Sequence, residues 1–221
     1  ELSAGDVDAS VMEGHQMLVG ASAGANVKAV GAIYQINPHV LAVRSDIGIS
    51  GPEEFDGKTI GRAGGEGEGN ALFDIFIQSY DYKTPPKFVD LGFDTVTDFE
   101  NKRADVIDLY RIDQLYLAEK RGLDLDVIAL DAYGFSTYGD VIVFGGQMIE
   151  ERPDVVEAFV QASMKGWQYV LDHQEEAVEA SLKYASGDYA DINYQRHIIS
   201  ESAPLIRGDV RELGMMDFVP W

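Results

Sequence analysis

The hydrophobic pattern of this chain switches repeatedly between two periods. Short apolar runs rich in β-branched residues predict strands over residues 7–12 (VDASVM), 27–34 (VKAVGAIY), 39–44 (HVLAVR), 87–91, 105–109, 125–130 and 140–144. Between them, apolar positions three and four apart predict helices over 16–23, around 96–102, and over 113–121 and 175–184. Gly122 then stands where a left-handed residue would end the helix. A longer helix opens at Pro153, with the stripe Val156, Phe159, Val160, Ser163, Trp167, Val170 and Leu171, and Trp167 reads as core. Strands alternating with helices predict an α/β fold of mostly parallel sheets flanked by helices.

One stretch breaks the alternation. Residues 58–74 (KTIGRAGGEGEGNALFD) pass from the apolar pair Thr59-Ile60 through a glycine-rich turn. A helical stripe of Leu72, Phe73, Phe76, Ile77 and Tyr80 follows, with Asn70 as its N-cap. A strand, a glycine turn and a helix start form a common wall for a ligand, because the first helical N–H groups are unpaired. Here Glu66 and Glu68 sit inside the turn, where they complement the helix dipole and repel a dianion. The expected contacts are therefore backbone N–H groups of Gly64 and Gly65 and the Glu66 carboxylate, offered to a neutral or amine-bearing ligand. A plain connector is the alternative.

An internal echo places further candidates. Residues 2–8 and 100–106 each read as a helix end, a polar turn and an acidic residue leading into a strand, and each strand runs into a helix. Two lobes of similar design would make the strand exits equivalent: Met12-Glu13-Gly14-His15 in one, Leu109-Tyr110-Arg111-Ile112-Asp113 in the other. In open α/β sheets ligands sit beyond the carboxyl ends of strands. Glu13 is placed to accept hydrogen bonds from a ligand amine, or only to cap a helix, and His15 to donate or accept. Tyr34 and Gln35 end a strand, where a tyrosine ring can stack on a flat ligand or join the core. Arg111 could clamp a carboxylate or sulfonate and Asp113 pair with an amine, or the two could pair with each other. Tyr138 is a second candidate stacking face.

Composition narrows the classes. The 221 residues allow one or two domains, and 46% hydrophobic content with a mean hydropathy of −0.12 describes a soluble globular chain. Thirty-eight acidic against 17 basic residues give a formal charge of −21, which disfavours nucleic acid and anionic membrane surfaces. There is no cysteine, and the four histidines show no metal-ligand spacing, so neither a metal nor another cofactor is expected. No GxSxG, P-loop lysine or HExxH is present, and no catalytic residue is expected. The opening Glu1-Leu2-Ser3-Ala4-Gly5 reads as the tail of a helix under way, so the chain is expected to be an excerpt of a longer protein.

Residues 27–61 (VKAVGAIYQINPHVLAVRSDIGISGPEEFDGKTIG), Tyr133-Gly134, Tyr138-Gly139-Asp140 and 145–178 (GGQMIEERPDVVEAFVQASMKGWQYVLDHQEEAV) resemble the NMT1/THI5-like solute-binding proteins of ABC importers. That group includes thiamine-pyrimidine, sulfonate and nitrate receptors, and AIYQINP and YGD fit the pyrimidine-precursor branch best. The resemblance implies a two-lobed type II periplasmic binding protein fold, with lobe I over 1–42 and 141–221 and lobe II over 43–140. It implies that the first strand and helix, which usually carry an aromatic ligand contact, are lacking. A monomeric, extracytoplasmic receptor is then expected. It would close on a nitrogen heterocycle such as a thiamine pyrimidine precursor and deliver it to ABC permease subunits. A sulfonate or nitrate receptor is the nearest alternative. An enzyme of the pyrimidine-synthase type would need the cysteine-rich iron site that this chain cannot form. The effector-sensing half of a regulator shares the fold, but no helix-turn-helix is visible.

Overall fold

Alternating strands and helices run through the computed structural model, which describes residues 1–62, 71–92 and 95–217. The chain opens with β1 (Ala9–Glu13), α1 (Gly14–Ser22), β2 (Val27–Ala32), β3 (His39–Arg44) and β4 (Thr59–Arg62). It continues through α2 (Ala71–Gln78), β5 (Lys87–Asp90), α3 (Thr95–Glu100), β6 (Val106–Tyr110), α4 (Gln114–Lys120) and β7 (Leu125–Ala129). Then come β8 (Asp140–Gly145), α5 (Gly146–Glu151), α6 (Pro153–Asp172), α7 (Gln174–Leu182) and α8 (Ile192–Arg207). No described helix is long and apolar enough to cross a membrane.

Two units divide these elements: Glu1–Pro38 with Ser136–Trp221, and His39–Phe135. The division falls just ahead of β3 and shortly before β8, a little earlier at both points than the sequence boundaries at 42/43 and 140/141. The first unit carries a three-stranded sheet of order β1-β8-β2, and the second a five-stranded sheet of order β5-β4-β6-β3-β7.

The expectation of mostly parallel sheets needs correction. Among the described residues, four of the six strand pairings are antiparallel: β1–β8, β2–β8, β3–β6 and β3–β7. Only β4–β5 and β4–β6 are parallel. The reason is topological. Each strand–helix–strand unit does return in the same direction, so β1 and β2 point one way, as do β6 and β7. The strands that carry the chain into each unit, β3 and β8, then slot between those partners and run against them.

The same layout occurs twice. β1-β8-β2 and β6-β3-β7 are each a strand, an antiparallel intruder and the strand reached through a helix. In register, Glu13 at the end of β1 faces Asp140 at the start of β8, as Tyr110 at the end of β6 faces His39 at the start of β3.

Packing in the second unit follows the two-residue strand period. Leu41 and Val43 of β3 join Phe55, Phe73, Phe76 and Val106 on one face, while Val40 and Ala42 join Val96, Phe99, Ile107 and Leu109 on the other. The long helix α6 buries Val156 and Leu171, whereas Phe159 of the predicted stripe is exposed and Trp167 only half-buried. Helix α8 was not foreseen from the sequence. It buries Tyr194, Ile199, Leu205 and Ile206 together with Gln195 and Ser202, and its stripe is interrupted by polar residues and by Pro204. Pro204 stands in the last turn: it has no N–H to give to the preceding turn, while its carbonyl accepts the Gly208 N–H.

Candidate ligand site

In the first unit the candidates gather where β1 and β2 end. β1 turns directly into α1, with Glu13 as the N-cap residue in an extended conformation. Its side chain makes no capping hydrogen bond, and Glu13 Oε2 instead lies 3.0 Å from His15 Nδ1, both side chains being largely buried. Gly14 is buried, and its N–H donates to the Gly139 carbonyl at 2.9 Å. Gly139 in turn donates to the Tyr34 carbonyl at 3.0 Å, so one residue ties the exits of β1 and β2 together. A side chain at position 139 has no room: a Cβ there would fall 2.8 Å from both Tyr34 Cβ and Pro38 Cδ.

The two expected stacking rings point elsewhere. Tyr34 is 7% exposed and its hydroxyl lies 3.2 Å from Ser202 Oγ of α8. Tyr138 is 3% exposed in a core with Met17, Ala32, Val141 and Val143, and its hydroxyl accepts from the Asp217 N–H. Core packing, the rival reading of Tyr34, describes both rings. Gln35 is also buried; its Nε2 donates to the Met215 carbonyl at 3.0 Å and holds the segment that follows α8.

In the second unit the candidates follow β6. Tyr110 meets the His39 ring edge-on with centroids 4.9 Å apart, and its N–H donates to Gln114 Oε1. Arg111 and Asp113 are half-buried in the next turn, and Asp113 caps α4 by accepting the Gln114 N–H. Burial pushes the Asp113 carboxyl above its ordinary range, opposed by the Gln114 hydrogen bond and by the charge of nearby His39.

Two charged residues that the sequence reading passed over stand on the neighbouring strands β6 and β4. Asp108, 7% exposed within β6, lies 2.6 Å through Oδ1 from Nδ1 of His39, and the His39 ring also abuts Phe73 at 5.5 Å between centroids. A carboxylate inside the apolar run VIDLY was the available signal, since a buried charge must be paired. Arg62, at the end of β4, forms a bidentate pair with Asp74 of α2 at 3.1 and 2.9 Å and stacks 4.0 Å above the Phe88 ring. It anchors the point from which the glycine-rich stretch departs. Gly64, Gly65 and Glu66 themselves lie outside the described residues.

The geometry therefore supplies carboxylates and imidazoles around the ends of β1 and β6: Glu13 with His15, and Asp108 with His39 near Asp113. Among the described residues no three His, Asp or Glu side chains are grouped so as to hold a metal ion. Such groups accept hydrogen bonds from ring N–H and amino groups more readily than they bind anions.

Comparison with known proteins decides the family. A family model described as NMT1/THI5 like matches residues 1–177. The chain belongs to the NMT1/THI5-like family. In sequence, the chain is similar to the riboflavin-binding protein RibY of Chloroflexus aurantiacus, 24% identical over 214 residues, covering 94% of this chain and 60% of RibY. Among solved structures, the aliphatic sulphonate binding protein SsuA of Escherichia coli aligns with a TM-score of 0.68 at 13% identity, over 91% of this chain and 63% of SsuA. A Candida albicans protein described as having the generic periplasmic binding protein fold aligns at 0.61 and 14% identity, over 98% of this chain and 83% of that one. These likenesses establish the periplasmic binding protein fold. The chain spans less than two thirds of the length of RibY and SsuA.

Proposed function

We propose that this chain is the ligand-recognising part of an extracytoplasmic solute-binding protein serving an ABC importer, and that its solute is a small, flat, nitrogen-containing ring. Family membership supports the receptor role. The observation that carries the ligand class is the set of acidic groups at the strand exits, Glu13 beside His15 in one unit and Asp113 beside the His39–Asp108 pair in the other. They offer acceptors to ring N–H and amino groups, while Tyr110 lends an aromatic face and Glu66, with Gly64 and Gly65, adds contacts from the glycine-rich stretch. Tyr34, Gln35, Gly14 and Tyr138 then act beneath the ligand by fixing the strand exits. Riboflavin, named for the relative RibY, and a thiamine pyrimidine precursor both belong to this ligand class. The role is capture rather than turnover: a monomer would hand its solute to permease subunits.

Thermal-shift measurements on the full chain test this. Riboflavin or an aminopyrimidine at 100 times its Kd should stabilise the protein by about 2.7 kcal/mol, and alkanesulfonates should not. Glu13→Gln should weaken that ligand about tenfold, or ~1.4 kcal/mol, by removing an ionised acceptor. Stabilisation by sulfonates alone would overturn the ligand class and move recognition to Arg111. Conversion of the bound compound would overturn the receptor role.

A further inference from the structure

Away from the strand exits, the first unit carries an open groove of about 770 Å³ between α6 and the segment after α8. Val160, Met164 and Leu213 give it an apolar floor, and Lys165, Arg207 and Arg211 stand around it with Glu212 as the one acid. All three cations are exposed. Their placement is not what the rest of the molecule leads one to expect. Six of the nine arginines are held in ion pairs with carboxylates: Arg44, Arg62, Arg103, Arg121, Arg152 and Arg196. Arg207 and Arg211 have no carboxylate within ion-pair distance among the described residues, although acids outnumber bases by 38 to 17. Both face the same groove.

The walls are firmly built. Met164 packs between two glycines, where a Cβ at Gly214 would fall 2.8 Å from its sulfur and one at Gly31 would lie 4.0 Å from its terminal methyl. Gly214 adopts a φ of 86°, which a side chain disfavours, and its carbonyl accepts the Ala32 N–H of β2. Gln35 fixes the same segment through Met215 and lies against Gly208. The groove is therefore a standing feature of the unit, and Arg207 closes α8 beside it, where it also complements the helix dipole.

We infer that this groove docks an acidic segment of a partner polypeptide. An open trough that follows two turns of α6, about 12 Å from Val160 to Gln168, suits an extended or helical segment. A small solute would need a pocket that encloses most of its surface. Exposed cations on long stems give rate and orientation to a docking event, while the apolar floor takes the side chains between the acids, with Met164 adapting its shape to them. The net charge of −21 turns away the broad anionic surfaces of nucleic acids and lipid bilayers. A short acidic segment enters the local positive field within the ~8 Å screening length of physiological salt. The inference goes beyond the solute assignment and does not depend on which ligand the strand exits hold.

Fluorescence anisotropy with a labelled synthetic peptide of repeated Glu-Glu-Leu tests it on the full chain. Saturable binding is expected at about 50 mM NaCl, weakening about tenfold at about 300 mM. The double variant Arg207→Gln/Arg211→Gln should lose about another tenfold, and Lys165→Gln less. Arg196→Gln, which removes a cation paired with Glu175 outside the groove, should stay within about twofold of the parent. Circular dichroism melting of each variant establishes that folding is intact. Absence of saturable binding up to about 1 mM overturns the inference, as does equal binding by the double variant. Binding to phosphatidylserine-containing vesicles in place of the peptide, lost in the double variant, would reassign the groove to a membrane surface and equally overturn it.

Discussion

Asp113 does two jobs that pull in opposite directions. As the N-cap of α4 it accepts a backbone N–H, which favours the carboxylate, yet burial dominates and raises its pKa. A carboxyl whose folded pKa exceeds its unfolded value contributes stability at pH values below the unfolded pKa. That contribution is lost as pH rises through the folded pKa. Asp113→Asn keeps a capping oxygen and removes the charge. The variant should melt on the order of 2 °C above the parent at pH 7 and match it near pH 3, read by thermal denaturation across pH. An unchanged pH profile would show that Asp113 is ionised without penalty. A ligand ammonium beside Asp113 would favour the same ionised form, so its binding should strengthen with pH over the same interval.

At the scale of elements, the exits of β1 and β2 depend on Gly139. Gly139→Ala forces a methyl against Tyr34 Cβ and Pro38 Cδ, both tied closely to the main chain, and should destabilise the protein by about 2 kcal/mol in urea denaturation. A loss below about 0.5 kcal/mol would mean that the turn relaxes. The YGD motif was legible in the sequence, but the need for its glycine was not, because the clash comes from residues a hundred positions away. The same contrast runs through the fold. Strand β3 coincides with the run HVLAVR, and the β6–α4 junction lies close to where periodicity placed it, although the capping role of Asp113 was not read from the sequence. The echo between residues 2–8 and 100–106 corresponds to a repeated topology. Periodicity could not show that β3 and β8 insert antiparallel, since strand direction within a sheet is a non-local property. It missed α8 because Pro204 and the buried Gln195 and Ser202 dilute the apolar stripe. Among site residues, tyrosines at strand ends read equally as stacking faces or core. His39 and Asp108 became visible only once two strands remote in sequence were laid side by side.

For the whole molecule, charge is the governing quantity. At −21 over 221 residues the folded state holds like charges close together, and the exposed ion pairs such as Arg152–Asp154 are too weak to offset that repulsion. Raising NaCl from about 0.1 to about 1 M shortens the screening length from ~10 to ~3 Å and should raise the melting temperature by about 5 °C. No rise would show that screening weakens the attractive pairs as much as it relieves repulsion. The basic groove on α6 is the local exception, and its interactions should weaken over the same salt range.

Among the described residues the first unit's sheet has β8 as its central strand, and β8 follows the whole second unit in sequence. That sheet therefore closes only through contacts far apart along the chain, the slowest kind to form, so the first unit should complete its fold after the second.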